Sequence, residues 1–436
     1  MDTLLTAAAT LGFLLLFLGL GVWVFISLAL VATAALFFLH GMDLSRIGSI
    51  AAGIIYRYST SWELSAIPMF IWMGEIIFRT DISSRLFRGL SPFVDYIPGR
   101  LLHTNVLGCT LFAAVSGSSP ATTATVGRIT TRELGARGYD DRLSLGSLAG
   151  AGSLGLLIPP SIVMIVYGIL AEQSISRLFA AGVLPGLMIS ALYSGYIMLR
   201  TTLNPSLVPA KRETRNALDF LRAIWDLVPL VVLMTIVLGS IYTGIATPSE
   251  AAAVGVITAI AIALLTRQFS LVLLRDTLLG ALRTSTMVCS ILIAAAFMST
   301  AIGYLHIPAD VAKGIASLQL PPWGLLVVLS LFYLGLGFFL DGTSIVVMSL
   351  PISLPLALQA GFDPIWFGVY LVLMVEMAQV TPPVGFNLFV LQGISGRSIS
   401  YVARAALPFF ALMLLGVLLL AVFPNIALWL PNFLYG

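Results

Sequence analysis

Two short runs of small, hydroxyl-bearing and acidic residues interrupt otherwise apolar sequence: Val115-Ser116-Gly117-Ser118-Ser119 and Leu340-Asp341-Gly342-Thr343-Ser344. A glycine-centred run of this kind suits a chain that turns back without regular helical bonding. Its hydroxyls, carboxylate and freed carbonyls are hard oxygen ligands of the kind a small cation such as Na+ takes. Downstream of each run stands a proline pair, Pro159-Pro160 in the first half and Pro382-Pro383 in the second. Proline removes a backbone donor and breaks a helix, which leaves carbonyls open around Gly152, Gly155, Thr381 and Gly385. The N-termini of the resulting half-helices favour an anionic group. The chemistry indicated is joint binding of a cation and a carboxylate. One such motif alone reads equally well as small residues that let helices pack closely; its recurrence favours binding.

That recurrence is regular. Gly117 and Gly342 stand 225 residues apart, Pro159 and Pro382 223 apart, and Met73 and Met298 225 apart. Three anchors in nearly one register mark an internal repeat. Charge then orients each copy. Arg85, Arg88 and Arg100 precede the first motif and Arg128, Arg132, Arg137 and Arg142 follow it, whereas no Lys or Arg occurs from Gly314 to Gly396. Positive flanks lie on the cytoplasmic side, so the two copies point opposite ways, as in an inverted repeat.

Composition sets the solvent these elements require. Hydrophobic residues make up 59% of the 436-residue chain and charged residues 9%, against about a quarter charged in soluble domains. The reading is an all-α integral membrane protein with about ten crossing helices, in two inverted repeats that each hold a re-entrant hairpin and a broken helix. Crossings are expected near 4–20, 23–40, 62–79, 143–170 and 178–199, then near 224–242, 247–266, 285–305, 366–391 and 405–430. Residues 1–200 form the first repeat, with its hairpin near 101–132 and broken helix near 143–170. A cytoplasmic linker at 201–223 leads to the second repeat at 224–436, with its hairpin near 322–358 and broken helix near 366–391. Both termini then fall outside. Arg46, Arg57 and Arg177 do not follow the charge rule. The first two are assigned to an interfacial amphipathic helix, matched by the stretch with Arg275 and Arg283.

Asp341, Glu250 and Glu376 are the acids placed deepest, where each costs about 2.5–3.5 kcal/mol unless paired or bound to a cation. Glu250, in Thr247-Pro248-Ser249-Glu250, reads equally as a first-turn acid near the surface, and Glu75 is left open. Arg128 and Arg132 serve as cytoplasmic topology charges. A guanidinium also matches a carboxylate bidentately, which keeps Arg128 in the candidate substrate set. Cys109, Cys289 and the three histidines form no disulfide or metal pattern. No histidine accompanies Ser116 or Ser118 as a base, and neither Lys211 nor Lys313 lies in a phosphate-binding loop, so protease and nucleotide-driven pump readings lack their machinery. A passive channel is less easily set aside, although paired broken helices suit alternating access better.

The strings SGSSPATTATVGRI, GSLGLLIPPSIVMIVYG, YTGIATPSEAAAVG, FLDGTSIVVMSLPI and TPPVGFNLFV resemble those of the large membrane subunit of TRAP transporters, the DctM-like family. The likeness covers nearly the whole chain. It implies an elevator-type carrier whose transport domain slides through a scaffold, coupling to Na+, and residence in a bacterial or archaeal inner membrane. It implies two partners, a small four-helix membrane subunit (DctQ-like) and a periplasmic substrate-binding protein (DctP-like). Nothing points to nucleic acid. The implied substrate is an organic acid such as a C4-dicarboxylate or a sialic acid. The sodium sites implied involve Ser116, Gly117, Ser118, Ser119, Asp341, Gly342, Thr343, Thr381 and Gly385. The substrate set implied between the tips is Ser118, Ser119, Pro159, Thr343 and Pro382, with Arg128 added. The chain departs from the family where a small residue and then Pro-Glu-Met usually stand; here those places read Arg128 and Arg132-Glu133-Leu134. Pro120 is a further departure at the first tip.

Overall fold

The computed structural model describes residues 9–436 except 11, 15, 18, 210–215, 307–320, 338–339 and 383–384. Regular structure among the described residues is helical throughout. In chain order the first half holds α1 Val24–Ala34, α2 Leu44–Ser59, α3 Ala66–Arg79, α4 Ile82–Val94, α5 His103–Ser116, α6 Ser119–Ala136, α7 Asp141–Ser153, α8 Ile162–Leu170 and α9 Ile175–Leu203. The second half holds α10 Ala217–Tyr242, α11 Pro248–Leu265, α12 Leu271–Tyr304, α13 Pro322–Leu336, α14 Gly342–Gln359, α15 Pro364–Val380, α16 Phe386–Ser395, α17 Ile399–Val422 and α18 Asn425–Tyr435. Among the described residues, six helices are long and apolar enough to cross a membrane: α9, α10, α11, α12, α14 and α17. The first crossing expected from the sequence lies partly outside the described residues.

Polar residues at the entry to six of the core helices set where they begin. Asp140 caps α7, Ser161 caps α8, Ser174 caps α9, Asp341 caps α14, Asp363 caps α15 and Ser398 caps α17, each accepting from a backbone N–H of the first turn. Such caps satisfy donors that a helix start leaves open. The starts of α6 and α14, and of α7 and α15, stand 223 residues apart; those of α8 and α16, and of α9 and α17, stand 224 apart. The repeat seen in the motifs is therefore a repeat of helices. At 14 and 15 residues, α5 and α13 are about 21 and 22 Å long, short of a hydrocarbon core of about 30 Å. Two residues separate the end of α5 from the start of α6.

The helices divide into a frame and a core. In the frame, α10 packs on α4, α11 on α3, and α12 on both α1 and α3. The core is built around α15, whose residues from Ile365 to Val380 are all buried. Around it lie α7, α8, α9, α13, α14, α16, α17 and α18. Trp366 of α15 stacks on Tyr370 at 5.6 Å and donates its indole N–H to Leu420 O of α17 at 3.1 Å. Helices α5 and α6 join the core through α7 and α16. Frame and core meet along α3, α4 and α12 on one side and α5, α6, α8 and α14 on the other, with a smaller contact between α10 and α9.

Glycine permits close helix approach in the core. A Cβ placed on Gly150 of α7 would lie 2.7 Å from Phe409 Cβ of α17. Gly150→Leu is expected to lower stability by about 1–3 kcal/mol through overpacking, read as a fall in the thermal unfolding midpoint of the purified protein.

Two features bear on the charges that broke the topology rule. Helix α2 carries Arg46 and Arg57 and buries Ile47 alone, as suits a rod lying at an interface. The stretch with Arg275 and Arg283 is not a separate helix like α2. It is the opening of α12, which runs unbroken for 34 residues because nothing between Leu271 and Tyr304 interrupts it. Lys211, Arg212 and Arg215 of the linker lie outside the described residues.

Candidate cation and substrate site

The first tip is a two-residue turn. Helix α5 ends where Gly117 adopts a left-handed φ of 57°, a conformation glycine takes without strain. Pro120 stands in the first turn of α6, where a missing N–H removes no helical bond. Ser116 Oγ lies 2.6 Å from Thr122 Oγ1, and Thr122 Oγ1 donates to Ser118 O at 2.8 Å. Ser119 is fully buried, and its Oγ accepts from Asn387 Nδ2 at 2.6 Å.

The first break lies against this tip. Helix α7 tightens into a 3-10 turn at Leu154–Leu156, and the chain stays unwound until Ser161 caps α8. Ile162 N–H donates to Gly117 O at 3.4 Å. A Cβ on Gly117 would lie 2.8 Å from Pro160 O, and one on Gly155 would lie 2.6 Å from Ser118 O. Pro159 and Pro160 are buried. Backbone thus meets backbone at tip and break with no space for a side chain.

At the second tip, Asp341 accepts from Thr343 N at 3.1 Å, from Ser344 N at 3.4 Å and from Ser344 Oγ. A Cβ on Gly342 would lie 2.5 Å from Gln379 Nε2 and 3.2 Å from Leu156 Cδ1. The second tip therefore touches both α15 and the first break. At the second break, Thr381 Oγ1 donates to Met377 O at 2.6 Å, and Gly385 N donates to Thr381 O at 3.0 Å. Pro382 is exposed; its neighbours Pro383 and Val384 lie outside the described residues.

Tips and breaks form a closed set of contacts: first tip to first break, first tip to Asn387 beyond the second break, second tip to Gln379 before it, and second tip to Leu156. The N-termini of α6, α8, α14 and α16 belong to this set, and helix N-termini favour negative charge. The structure brings together Ser116, Gly117, Ser118, Ser119 and Pro159 on one side, and Asp341, Gly342, Thr343, Thr381 and Gly385 on the other.

Several buried polar oxygens here have no hydrogen-bond partner among the described residues: Thr123 Oγ1, Gln379 Oε1 and Asn387 Oδ1. Buried polar atoms are normally paired, so an oxygen-rich centre with open acceptors fits a hard cation. Glu376 is fully buried, as its place in the sequence indicated. Gln379, Asn387, Thr122 and Thr123 were not singled out from sequence. The available signal was a polar amide on each side of the Thr381–Gly385 break in an otherwise apolar stretch.

Three charged residues stand elsewhere. Glu250 forms a capping box with Thr247, accepting its N–H and its hydroxyl at 2.8 Å each; the first-turn alternative therefore holds. Glu75 pairs with Arg79 at 3.1 Å. Arg128 follows Ser118 by ten residues of sequence, about 15 Å along α6. It is exposed, with its guanidinium 6.0 Å from the Phe78 ring. The structure does not bring Arg128 to the tips with Thr343 and Pro382.

Repeated helical hairpins and broken helices, set among six helices long and apolar enough to cross a membrane in the described residues, define a multi-pass membrane protein. Residues 11–426 match the family described as "Tripartite ATP-independent periplasmic transporter, DctM component", and the chain belongs to that family. It is 36% identical over 383 residues to the "C4-dicarboxylate TRAP transporter large permease protein DctM" of Pseudomonas aeruginosa, covering 87% of this chain and 88% of that one. It is 32% identical to the "Isethionate TRAP transporter permease protein DctMQ" of Oleidesulfovibrio alaskensis, over 96% of this chain and 65% of that one. It is 29% identical to the "Sialic acid TRAP transporter permease protein SiaT" of Haemophilus influenzae, over 86% of this chain and 60% of that one. The crystal structure of the Alcanivorax borkumensis YdaH transporter shares the fold, with a TM-score of 0.65 over 89% of this chain and 90% of that one at 15% identity.

Proposed function

We propose that this TRAP large permease is a sodium-coupled, binding-protein-dependent importer of an organic acid, working by an elevator movement in a bacterial or archaeal inner membrane. The observation that carries the reading is the closed set of tips and breaks, with unpaired buried oxygens beside helix N-termini. Oxygens serve a cation and helix N-termini serve a carboxylate. Sodium ligands are drawn from Ser116, Gly117, Ser118, Ser119, Asp341, Gly342, Thr343, Thr381 and Gly385, with Gln379 and Asn387 as added candidates. The acid is held between the tips by Ser118, Ser119, Pro159, Thr343 and Pro382.

Core packing supports movement as one body. Both tips and both breaks are tied to one another, whereas the frame touches the core through a limited set of helices. A net inward positive charge gains about 2.3 kcal/mol per 100 mV of membrane potential, enough to concentrate an acid. The relatives named for C4-dicarboxylates, isethionate and sialic acid support an organic acid as substrate. The longer relative described as DctMQ supports a small four-helix membrane subunit as partner, and a periplasmic binding protein completes the system.

The test is uptake of a labelled organic acid into proteoliposomes that hold the chain with its small subunit and a candidate binding protein. Uptake is expected to require an inward sodium gradient and to stop when the gradient is removed. Uptake indifferent to sodium would sink the coupling.

A further inference from the structure

A polar cavity lies away from the tips. About 570 Å3 in volume, it opens between the α3–α4 junction and the start of α12 on the frame side and α6 on the core side. That volume lies in the range of small-molecule sites, about 300–1,000 Å3. Its walls include Arg79, Ser83, Thr125, Arg128, Gln268 and Asp276.

Two of these groups are spoken for. Arg79 pairs with Glu75 at 3.1 Å, and Gln268 Oε1 accepts from Asp81 N at 2.7 Å. Two are open to the cavity. Arg128 is exposed and has a ring contact with Phe78 but no acidic partner among the described residues. Asp276, on the opposite wall, has no ion pair there either. Ser83 and Thr125 are buried behind the wall, so the cavity's own polar chemistry is set by the two charges.

The open groups have a definite polarity. A guanidinium matches a carboxylate bidentately. A carboxylate across the cavity attracts a cationic group and repels a second carboxylate. We propose that this cleft binds a small zwitterionic acid, its carboxylate on Arg128 and its cationic end toward Asp276. The inference rests on the carrier reading for its role, a stage on the substrate's way between the tips and the cytoplasm; binding itself does not depend on coupling.

The experiment measures equilibrium binding of labelled 4-aminobutyrate to the chain with its small subunit in nanodiscs without sodium, with succinate as competitor. Both probes have four carbons and one carboxylate in common, and they differ at the far end. Unlabelled 4-aminobutyrate is expected to displace the label better than succinate does. Arg128→Gln is expected to weaken binding by about tenfold or more, as for loss of a charged hydrogen-bonding pair. Asp276→Asn is expected to weaken 4-aminobutyrate and to tighten succinate, a reversal that misfolding would not produce. Absence of saturable binding, stronger displacement by succinate in the parent, or unaltered affinity in Arg128→Gln would each overturn the proposal. Cleft binding that persists while the parent shows no sodium-driven uptake would remove the coupling and leave the cleft.

Discussion

Replacing Gly117 by valine is expected to reduce uptake at least about a hundredfold while the helical bundle still forms. Two costs fall on one residue. The left-handed φ of 57° is a genuine outlier for a β-branched side chain, costing about 1–2 kcal/mol or more. The new Cβ would also meet Pro160 O at 2.8 Å, and that atom is backbone, which cannot swing aside as a side-chain tip can. Relief requires the tip to retreat from the first break, giving up the bond from Ile162 N–H to Gly117 O. Retreat moves Ser116 and Ser118 by the same step, and misplacing binding groups by about 1 Å can cost about a hundredfold in rate. The comparison is sodium-driven uptake by the parent, Gly117→Ala and Gly117→Val at matched reconstitution. A graded loss is expected; parent-like uptake by the valine variant would show that the tip does not need its contact with the break.

Asp341 gives the second large effect, and two substitutions separate its two roles. As the cap of α14 it takes two backbone donors and the Ser344 hydroxyl. Asparagine caps about as well as aspartate, whereas alanine in place of a cap costs about 0.5–2 kcal/mol. Asp341→Asn is therefore expected to keep thermal stability close to the parent and to lose sodium activation by about tenfold or more, since the anionic charge is gone. Asp341→Ala is expected to lose both. Sodium titrations of uptake beside thermal unfolding curves decide between them. An asparagine variant with the parent's sodium dependence would assign Asp341 to helix capping alone.

Much of the architecture was legible because its devices are local. A glycine between serines, a proline pair, and an aspartate before Gly-Thr-Ser each act on the chain within a few residues, and the helices begin where those devices stand. The register between motifs carried over to the helix starts for the same reason. Other features depend on what lies across space. That the first tip bonds Asn387 beyond the second break is a contact over 268 residues that spacing does not encode. Glu250 was ambiguous because a deep acid and a first-turn cap share one sequence pattern; only the Thr247 partnership separates them. Arg128 read as a substrate group by its nearness in sequence to the first hairpin. Helical rise carries it about 15 Å from the tip and into another cavity.

The unbroken run of α12 links the frame to the surrounding lipid. Thirty-four residues span about 51 Å, well beyond a hydrocarbon core of about 30 Å, so the rod must tilt or carry its polar first turns into the headgroup region. Those first turns form one wall of the inner cleft, and the same helix lies against α14 of the second hairpin. Acyl-chain length therefore acts on the pose of a frame helix that borders both the cleft at Arg128 and the second hairpin. A thicker membrane would stand the rod upright and a thinner one would lay it over, making bilayer thickness a mechanical input to the transport cycle.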